Sequence, residues 1–152
     1  MTWVIREFQP SDLQGCLSIM RSNTPTFFAK DEVDEFISDL EIRSSLAISD
    51  RWPYFVLVTN NQVRACGGYI VNTQREATLI WGMVDAIDHH KGLGTALFKY
   101  RIQHMRNRAS VVEIDTTPAS FGFYSRLGFE QTGYIINGYG QGLDKVLARL
   151  PI

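Results

Sequence analysis

Midway along this 152-residue chain a strand, a glycine turn, a helix and a second strand follow one another. Thr78 to Val84 is an apolar, β-rich run, and Gly92 and Gly94 come shortly after it. Leu93, Ala96, Leu97, Tyr100 and His104 then mark one face of a helix reaching about Arg108. Val111 to Thr116 is again β-rich. Strands joined through a helix of this length lie parallel, because only a long crossover returns the chain to the same end of a sheet. The segment therefore fixes one parallel pair, whatever the rest of the chain does.

The remaining runs surround that pair with hairpins. Trp3 to Phe8 reads as a first strand, stopped by Pro10. Ser11-Asp12-Leu13-Gln14 has the form of a capping box, with a helix to about Arg21 whose face is Leu13, Leu17 and Met20. Asp31 can cap a second helix, with Val33, Phe36, Ile37 and Leu40 on one side. Tyr54 to Val58, a turn at Asn60-Asn61, Val63 to Val71 and Thr78 to Val84 form an antiparallel meander. Ser120 to Leu127 is a short helix closed by Gly128. Phe129 to Ile136 and Lys145 to Leu150 are the last strands, with the Gly-rich stretch 137–142 as the loop between them.

The order β-α-α-β-β-β-α-β-α-β-β describes an α+β fold, an α/β sandwich on a mostly antiparallel mixed sheet. No repeat or composition break divides it, so residues 1–152 read as one domain.

Composition narrows the function classes. A formal net charge of -1 carries no basic excess, which argues against a nucleic-acid or membrane-surface partner. Cys16 and Cys66 belong to no CxxC or Cys/His cluster, so no metal is expected, and they read as buried thiols in a reducing compartment. Arg6, Glu7 and Asp12 interrupt the start before a signal-peptide core forms, and no run approaches the roughly 20 apolar residues of a membrane span. The expectation is a cytoplasmic protein.

Glycines at a helix start remove side chains that would keep an anion from the unpaired N–H groups of the first turn, and Lys91 adds a positive charge there. This favours a phosphate or diphosphate. The chain has no GxxxxGK[ST] loop and no GxGxxG after its first strand, which sets aside nucleotidase and Rossmann readings.

His89-His90-Lys91-Gly92-Leu93-Gly94 resembles the [Q/R]-x-x-G-x-[G/A] motif of the GNAT superfamily of N-acetyltransferases, with His89 where Gln or Arg is usual. Phe123-Tyr124-Ser125-Arg126-Leu127-Gly128-Phe129 is similar to that family's FYxKxGF segment, and the element order agrees.

The resemblance implies that the parallel strands splay into a slot for acetyl-CoA, used as a cosubstrate. The pantetheine arm would pair with Met83 and Val84. The diphosphate would sit on the loop of His89, His90, Lys91, Gly92, Leu93, Gly94 and Thr95. Tyr124 matches the general acid that protonates the departing thiolate, and a backbone N–H near Met83–Val84 would polarise the carbonyl. Where some members carry a basic glutamate, this chain has Thr78. Glu76, Asp85, Asp115 and a water chain all stay open as the base.

Phe27, Phe28, Trp81, Tyr134 and Tyr139 are candidates for an acceptor pocket, whose aromatic walls would suit a hydrophobic or cationic amine. The neighbouring Phe27 and Phe28 read as core before they read as site lining. The activity implied is acetyl transfer to a primary amine of a small molecule or peptide. The alternative is a non-catalytic acyl-CoA-binding module on the same fold. A homodimer is common in the family and would suit the terminal strands.

Overall fold

The computed structural model describes residues 2–24, 28, 30–45 and 52–152, with side chains in the second helix described to residue 43. The strands are β1 (Val4–Glu7), β2 (Tyr54–Thr59), β3 (Gln62–Val71), β4 (Glu76–Val84), β5 (Val111–Thr116), β6 (Glu130–Gly140) and β7 (Leu143–Pro151). The helices are α1 (Leu13–Ser22), α2 (Lys30–Ser45), α3 (Leu93–Met105) and α4 (Pro118–Arg126). Among the described residues the strands form one mixed sheet in the order β1-β2-β3-β4-β5-β7-β6. This is the element order and the mostly antiparallel fold that the sequence implied.

The expected parallel pair is β4 with β5, and it is short. Pairing runs from Glu76 opposite Val111 to Thr78 opposite Glu113. Beyond Thr78, β4 stays with β3 as far as Val84, while β5 continues along β7 to Thr116. The strands thus part in mid-sheet, and each turns one edge toward the gap. An opened edge presents N–H and C=O groups that another chain of amides can satisfy.

Two cores pack the sheet against its helices. Phe55 and Leu57 of β2 meet Leu93, Leu97, Phe98 and Ile102 of α3. Tyr54 and Val56, on the opposite face, meet Cys16, Leu17 and Met20 of α1 and Phe36 and Leu40 of α2. Alternation along a strand sends successive side chains to opposite faces, and here both faces are covered. Asn60 and Asn61 carry φ of 52° and 60°, the left-handed pair that a two-residue hairpin needs.

Several boundaries differ from the sequence expectation. The Ser11–Gln14 capping box does not form. Gln9 and Asp12 make the reciprocal pair instead, around a short 3-10 turn at Pro10–Asp12. Asp12 is drawn there by Arg6, which donates to both of its carboxylate oxygens at 2.8 and 2.9 Å. Asp31 lies in the first turn of α2 rather than capping it. The α3 helix stops at Met105, whose carbonyl accepts from both Arg108 and Ala109. The stretch 137–142 is mostly strand, since β6 runs on to Gly140 through a register shift. A Cβ at Gly138 would stand 2.4 Å from that of Lys145, so the strand passes its neighbour only with glycine there.

Candidate active site

A cavity of about 1190 Å³ occupies the gap between β4 and β5. Its lining comes from the second half of β4, the end of β5, the starts of α3 and α4, the exposed side of α2 and the β6 bend. Every residue expected to hold a cofactor lines it except Lys91, and so does Tyr124.

At one end the chain leaves β4 and turns into α3. His90 has φ of 65° and Gly92 has φ of 85°, Gly92 being the residue that caps α3. A Cβ placed on Gly92 would meet nothing within 4 Å, so the capping position faces open space. The N–H groups of a helix's first turn have no partner inside the helix and carry partial positive charge. Gly94 serves packing instead. A Cβ there would come within 3.3 Å of the Phe123 ring, tight enough that the ring would have to shift by a few tenths of an ångström, and in ordinary contact with Val84 at 3.5 Å.

Buried polar groups fix this loop. Asp88 accepts from Arg64 Nε at 2.7 Å and from Lys91 Nζ at 3.2 Å. Burial pushes the Asp88 carboxyl up, but the bonds from Arg64 and Lys91 outweigh it and hold the group below the ordinary carboxylate range. Lys91 is half-exposed and its ammonium is shared with Asp88, so it is not a free charge at the helix start. His89 Nε2 lies 3.0 Å from the Val84 carbonyl, which also accepts from Asn23 Nδ2 at 2.8 Å. A carbonyl only accepts, so Nε2 carries the proton. His89, the position that fits the family motif least, thereby ties the loop to the end of β4.

The middle of the cavity is shaped by a bulge. The β3–β4 register shifts between Cys66 and Gly68, and Trp81 opposite has φ of 46°. Tyr54, fully buried, donates its hydroxyl to the Trp81 carbonyl at 2.9 Å and pins the bulge. Trp81 Nε1 donates to Asp39 of α2 at 2.8 Å. Tyr124 enters from α4, a helix capped by Thr117, whose hydroxyl accepts from Ser120 N, and started by Pro118. The Tyr124 ring is half-buried and packs edge-on against Phe123 and Phe129, with centroids 5.0 and 5.6 Å away.

The base candidates separate clearly. Glu76 accepts from Asn72 Nδ2 in a turn, and Asp85 caps a short 3-10 turn by accepting from Ile87 N; neither lines the cavity. Asp115 does line it, and accepts from the Tyr139 hydroxyl. Burial, and then that carboxylate, push the Tyr139 phenol well above its ordinary value. Of the aromatic candidates, Phe28, Trp81 and Tyr139 line the cavity. Tyr134 does not; it is exposed and donates to Asp144 at 2.6 Å. Phe27 lies outside the described residues. His104 is a packing residue, with Nδ1 2.6 Å from the Tyr69 hydroxyl.

Two features escaped the sequence reading. Asp31, Glu32, Glu35 and Asp39 of α2 all line the cavity, opposite the helix-start end. Spacing of three and four residues put them on one helix side, and that signal was available. Arg101 lines the cavity too, although it is only 2% exposed. It sits four residues after Leu97 on the buried side of α3, where a charged residue is itself a signal. Among the described residues, no cluster of His, Cys, Asp and Glu fits a metal ion, and no helix is long and apolar enough to cross a membrane.

The sequence matches the acetyltransferase (GNAT) domain over residues 23–142. No curated protein matches it. Among solved structures, the fold is similar to a candidate GNAT-family acetyltransferase from Desulfovibrio desulfuricans, with TM-score 0.86, 19% identity and 99% of each chain covered. It is similar to the ribosomal-protein-S18-alanine N-acetyltransferase of Escherichia coli, with TM-score 0.80, 23% identity, and 99% of this chain and 94% of that one covered. A candidate acetyltransferase from Salmonella typhimurium, solved with its cofactor acetyl-CoA, gives TM-score 0.76 at 19% identity, with the same coverage of 99% and 94%. At these identities the likeness concerns the fold.

Proposed function

The chain belongs to the GNAT acetyltransferases, and from that membership we propose that it moves the acetyl group of acetyl-CoA to a primary amine of a small molecule or peptide, with Tyr124 as general acid. The observation that carries this reading is a single cavity that joins the α3 start, the unpaired edge of β4 and Tyr124. In this reading the diphosphate rests on the first-turn N–H groups from His90 to Thr95, beside His89 and Lys91. The pantetheine amides run along β4 toward Met83 and Val84, and the thioester lies beneath Tyr124.

Acetyl transfer by direct attack needs a neutral amine, a polarised carbonyl and a protonated leaving thiolate. The amine nitrogen attacks the thioester carbon, and a backbone N–H near the β4 bulge donates a hydrogen bond to the developing oxyanion. As the C–S bond breaks, the sulfur takes the Tyr124 proton. The amine's own proton leaves toward the carboxylate-lined mouth, through Asp115 or water. Asp31, Glu32, Glu35 and Asp39, with the rings of Phe28 and Trp81, favour an acceptor that arrives as an ammonium.

The test pairs binding with turnover. Acetyl-CoA is titrated calorimetrically, and thiol release is followed with spermidine, tyramine, lysine and a peptide bearing an N-terminal alanine. Tyr124→Phe should keep acetyl-CoA affinity and lose roughly 10²-fold in kcat, the scale of a missing acid. Binding without thiol release for any amine would favour the acyl-CoA-binding module, and absence of binding would remove the reading altogether.

A further inference from the structure

Arg101 is a buried guanidinium with no carboxylate partner among the described residues. It projects from α3 toward the sheet and is 2% exposed. Glycines make its room: a Cβ on Gly67 would stand 3.0 Å from Nη1, and one on Gly82 would stand 3.2 Å from both Nη1 and Nη2. Nη1 donates to the Gly68 carbonyl at 3.3 Å, a long bond, and Nε has no partner. None of the ion pairs among the described residues includes it. A cation taken out of water without a counter-charge is strongly unfavourable, and proteins keep such an arrangement where an anion arrives or develops.

The location says which anion. Gly67 and Gly82 belong to the β3–β4 bulge, beyond Thr78, where β4 has already left β5. The guanidinium therefore lies beside the open slot, and it lines the cavity that Gly82, Met83 and Tyr124 also line. Burial draws Arg101 below its ordinary basicity, and the neighbouring Tyr124 and Tyr54 act in the opposite direction. Tyr54 is already committed to the Trp81 carbonyl. Tyr124 is the one of the two that the reaction uses.

We propose that Arg101 is a positioning residue for acyl transfer, whose buried positive charge holds the Tyr124 hydroxyl and offsets the negative charge that passes between the CoA sulfur and the Tyr124 oxygen. The inference rests on the acetyl-transfer reading with Tyr124 as acid. A C–N bond forms at the acetyl carbon, the C–S bond breaks, and its electron pair stays on sulfur. The sulfur takes the hydroxyl proton of Tyr124, and the phenolate regains one from solvent, matching the proton the amine released. Through those steps the net charge near Arg101 is negative, and Arg101 is the cation placed to meet it.

A double-mutant cycle tests this, using the full chain, acetyl-CoA and the amine with the fastest thiol release in the panel above. Arg101→Met keeps much of the side-chain volume and removes the charge. It should lower kcat by about 10- to 100-fold, with the KM for acetyl-CoA and the thermal midpoint little changed. In a Tyr124→Phe background the same substitution should add almost nothing, because the two residues act as a unit. A purely structural role would instead add its full loss there or raise KM, and either result overturns the proposal, as does an undiminished kcat. If Arg101→Met does not fold, the cycle is run with Arg101→Lys, which keeps the charge but not the fork; its smaller kcat loss should likewise vanish beside Tyr124→Phe, and a persistent loss overturns the proposal. Should Tyr124→Phe alone leave kcat intact, the acid reading fails and the Arg101 proposal with it. A fall for Tyr124→Phe with none for Arg101 removes the Arg101 proposal alone.

Discussion

Gly92 offers a way to separate backbone conformation from ligand contact at the helix start. Its φ of 85° and ψ of 3° are left-handed, and a Cβ there would touch nothing within 4 Å. Gly92→Ala therefore meets no steric neighbour in the free protein, and its stability cost is backbone strain. That strain is about 1–2 kcal/mol for a left-handed L-residue, partly offset by about 0.4–1 kcal/mol from stiffening the unfolded chain. The net, near 1 kcal/mol, corresponds to a fall of about 2–4 °C in Tm for a chain of this size. Acetyl-CoA affinity should fall further. A methyl in the space facing the first-turn amides would displace a diphosphate from charge-assisted hydrogen bonds worth about 1.5–3 kcal/mol, or roughly 10- to 100-fold in Kd. Gly92→Asn separates the two effects, since asparagine enters the left-handed region readily. It should recover most of the lost Tm while binding acetyl-CoA as poorly as the alanine variant. Calorimetric titration and thermal melts of the three proteins read both quantities. Unchanged acetyl-CoA affinity in both variants, with the alanine variant's Tm lowered, would reduce Gly92 to a turn residue and refute a diphosphate seat there.

Two further outcomes follow from the loop that carries Gly92. His89→Gln should retain acetyl-CoA affinity, because an amide N–H can replace Nε2 at the Val84 carbonyl 3.0 Å away, whereas His89→Ala should weaken it up to about tenfold. Equal Kd values for the two would show that the bond does not order the loop. Asp88 gives a pH signature. Its folded-state carboxyl is held below the ordinary value of about 3.9, so its stabilising contribution is complete above that value and is lost as pH falls through the folded one. The urea midpoint of Asp88→Asn should trail that of the wild type most near neutrality, and the gap should close below about pH 4. A gap that stayed constant from pH 7 to 3 would mean the Arg64–Asp88–Lys91 cluster contributes no charge-dependent stability.

The frame of this fold was legible because periodicity and turn chemistry are local. Val111 to Thr116 shows alternating apolar residues, and β5 has those bounds; Asn60-Asn61 specifies a left-handed turn, and the hairpin turns there. What local pattern could not supply was competition from distant residues. Ser11 and Gln14 satisfy the rule for a capping box, yet Arg6 on β1 holds Asp12 with two hydrogen bonds, and the box forms two residues earlier. The glycines at 138, 140 and 142 look like a loop, but at Gly138 an added Cβ would stand 2.4 Å from that of Lys145, so the glycine serves a close approach between strands rather than a turn. The site divides the same way. Gly92, Gly94 and Tyr124 stand in local motifs, and all three line the cavity. Arg101 depends on a cavity formed by Gly67 and Gly82, over thirty and nearly twenty residues earlier, and no local window contains all three.

That division bears on how a near-neutral chain presents a charged reaction. The formal net charge of -1 conceals two poles on one cavity. The α3 start offers the unpaired backbone N–H groups of a helix's first turn, and α2 offers Asp31, Glu32, Glu35 and Asp39. Placing Asp31, Glu35 and Asp39 four residues apart puts like charges side by side along the helix, which is mildly destabilising in itself. Trp81 relieves one of them by donating to Asp39 at 2.8 Å. On the proposed reading the rest of that repulsion falls when an ammonium enters, while the same carboxylates repel the CoA phosphates from the acceptor mouth. The two substrates would then be sorted by sign before either reaches Tyr124, and raised ionic strength should lower kcat/KM for a cationic amine far more than kcat itself, since screening acts on the encounter and not on the buried step. Equal sensitivity to salt for a cationic amine and a neutral one of similar size would mean that the acidic side of α2 takes no part in choosing the acceptor.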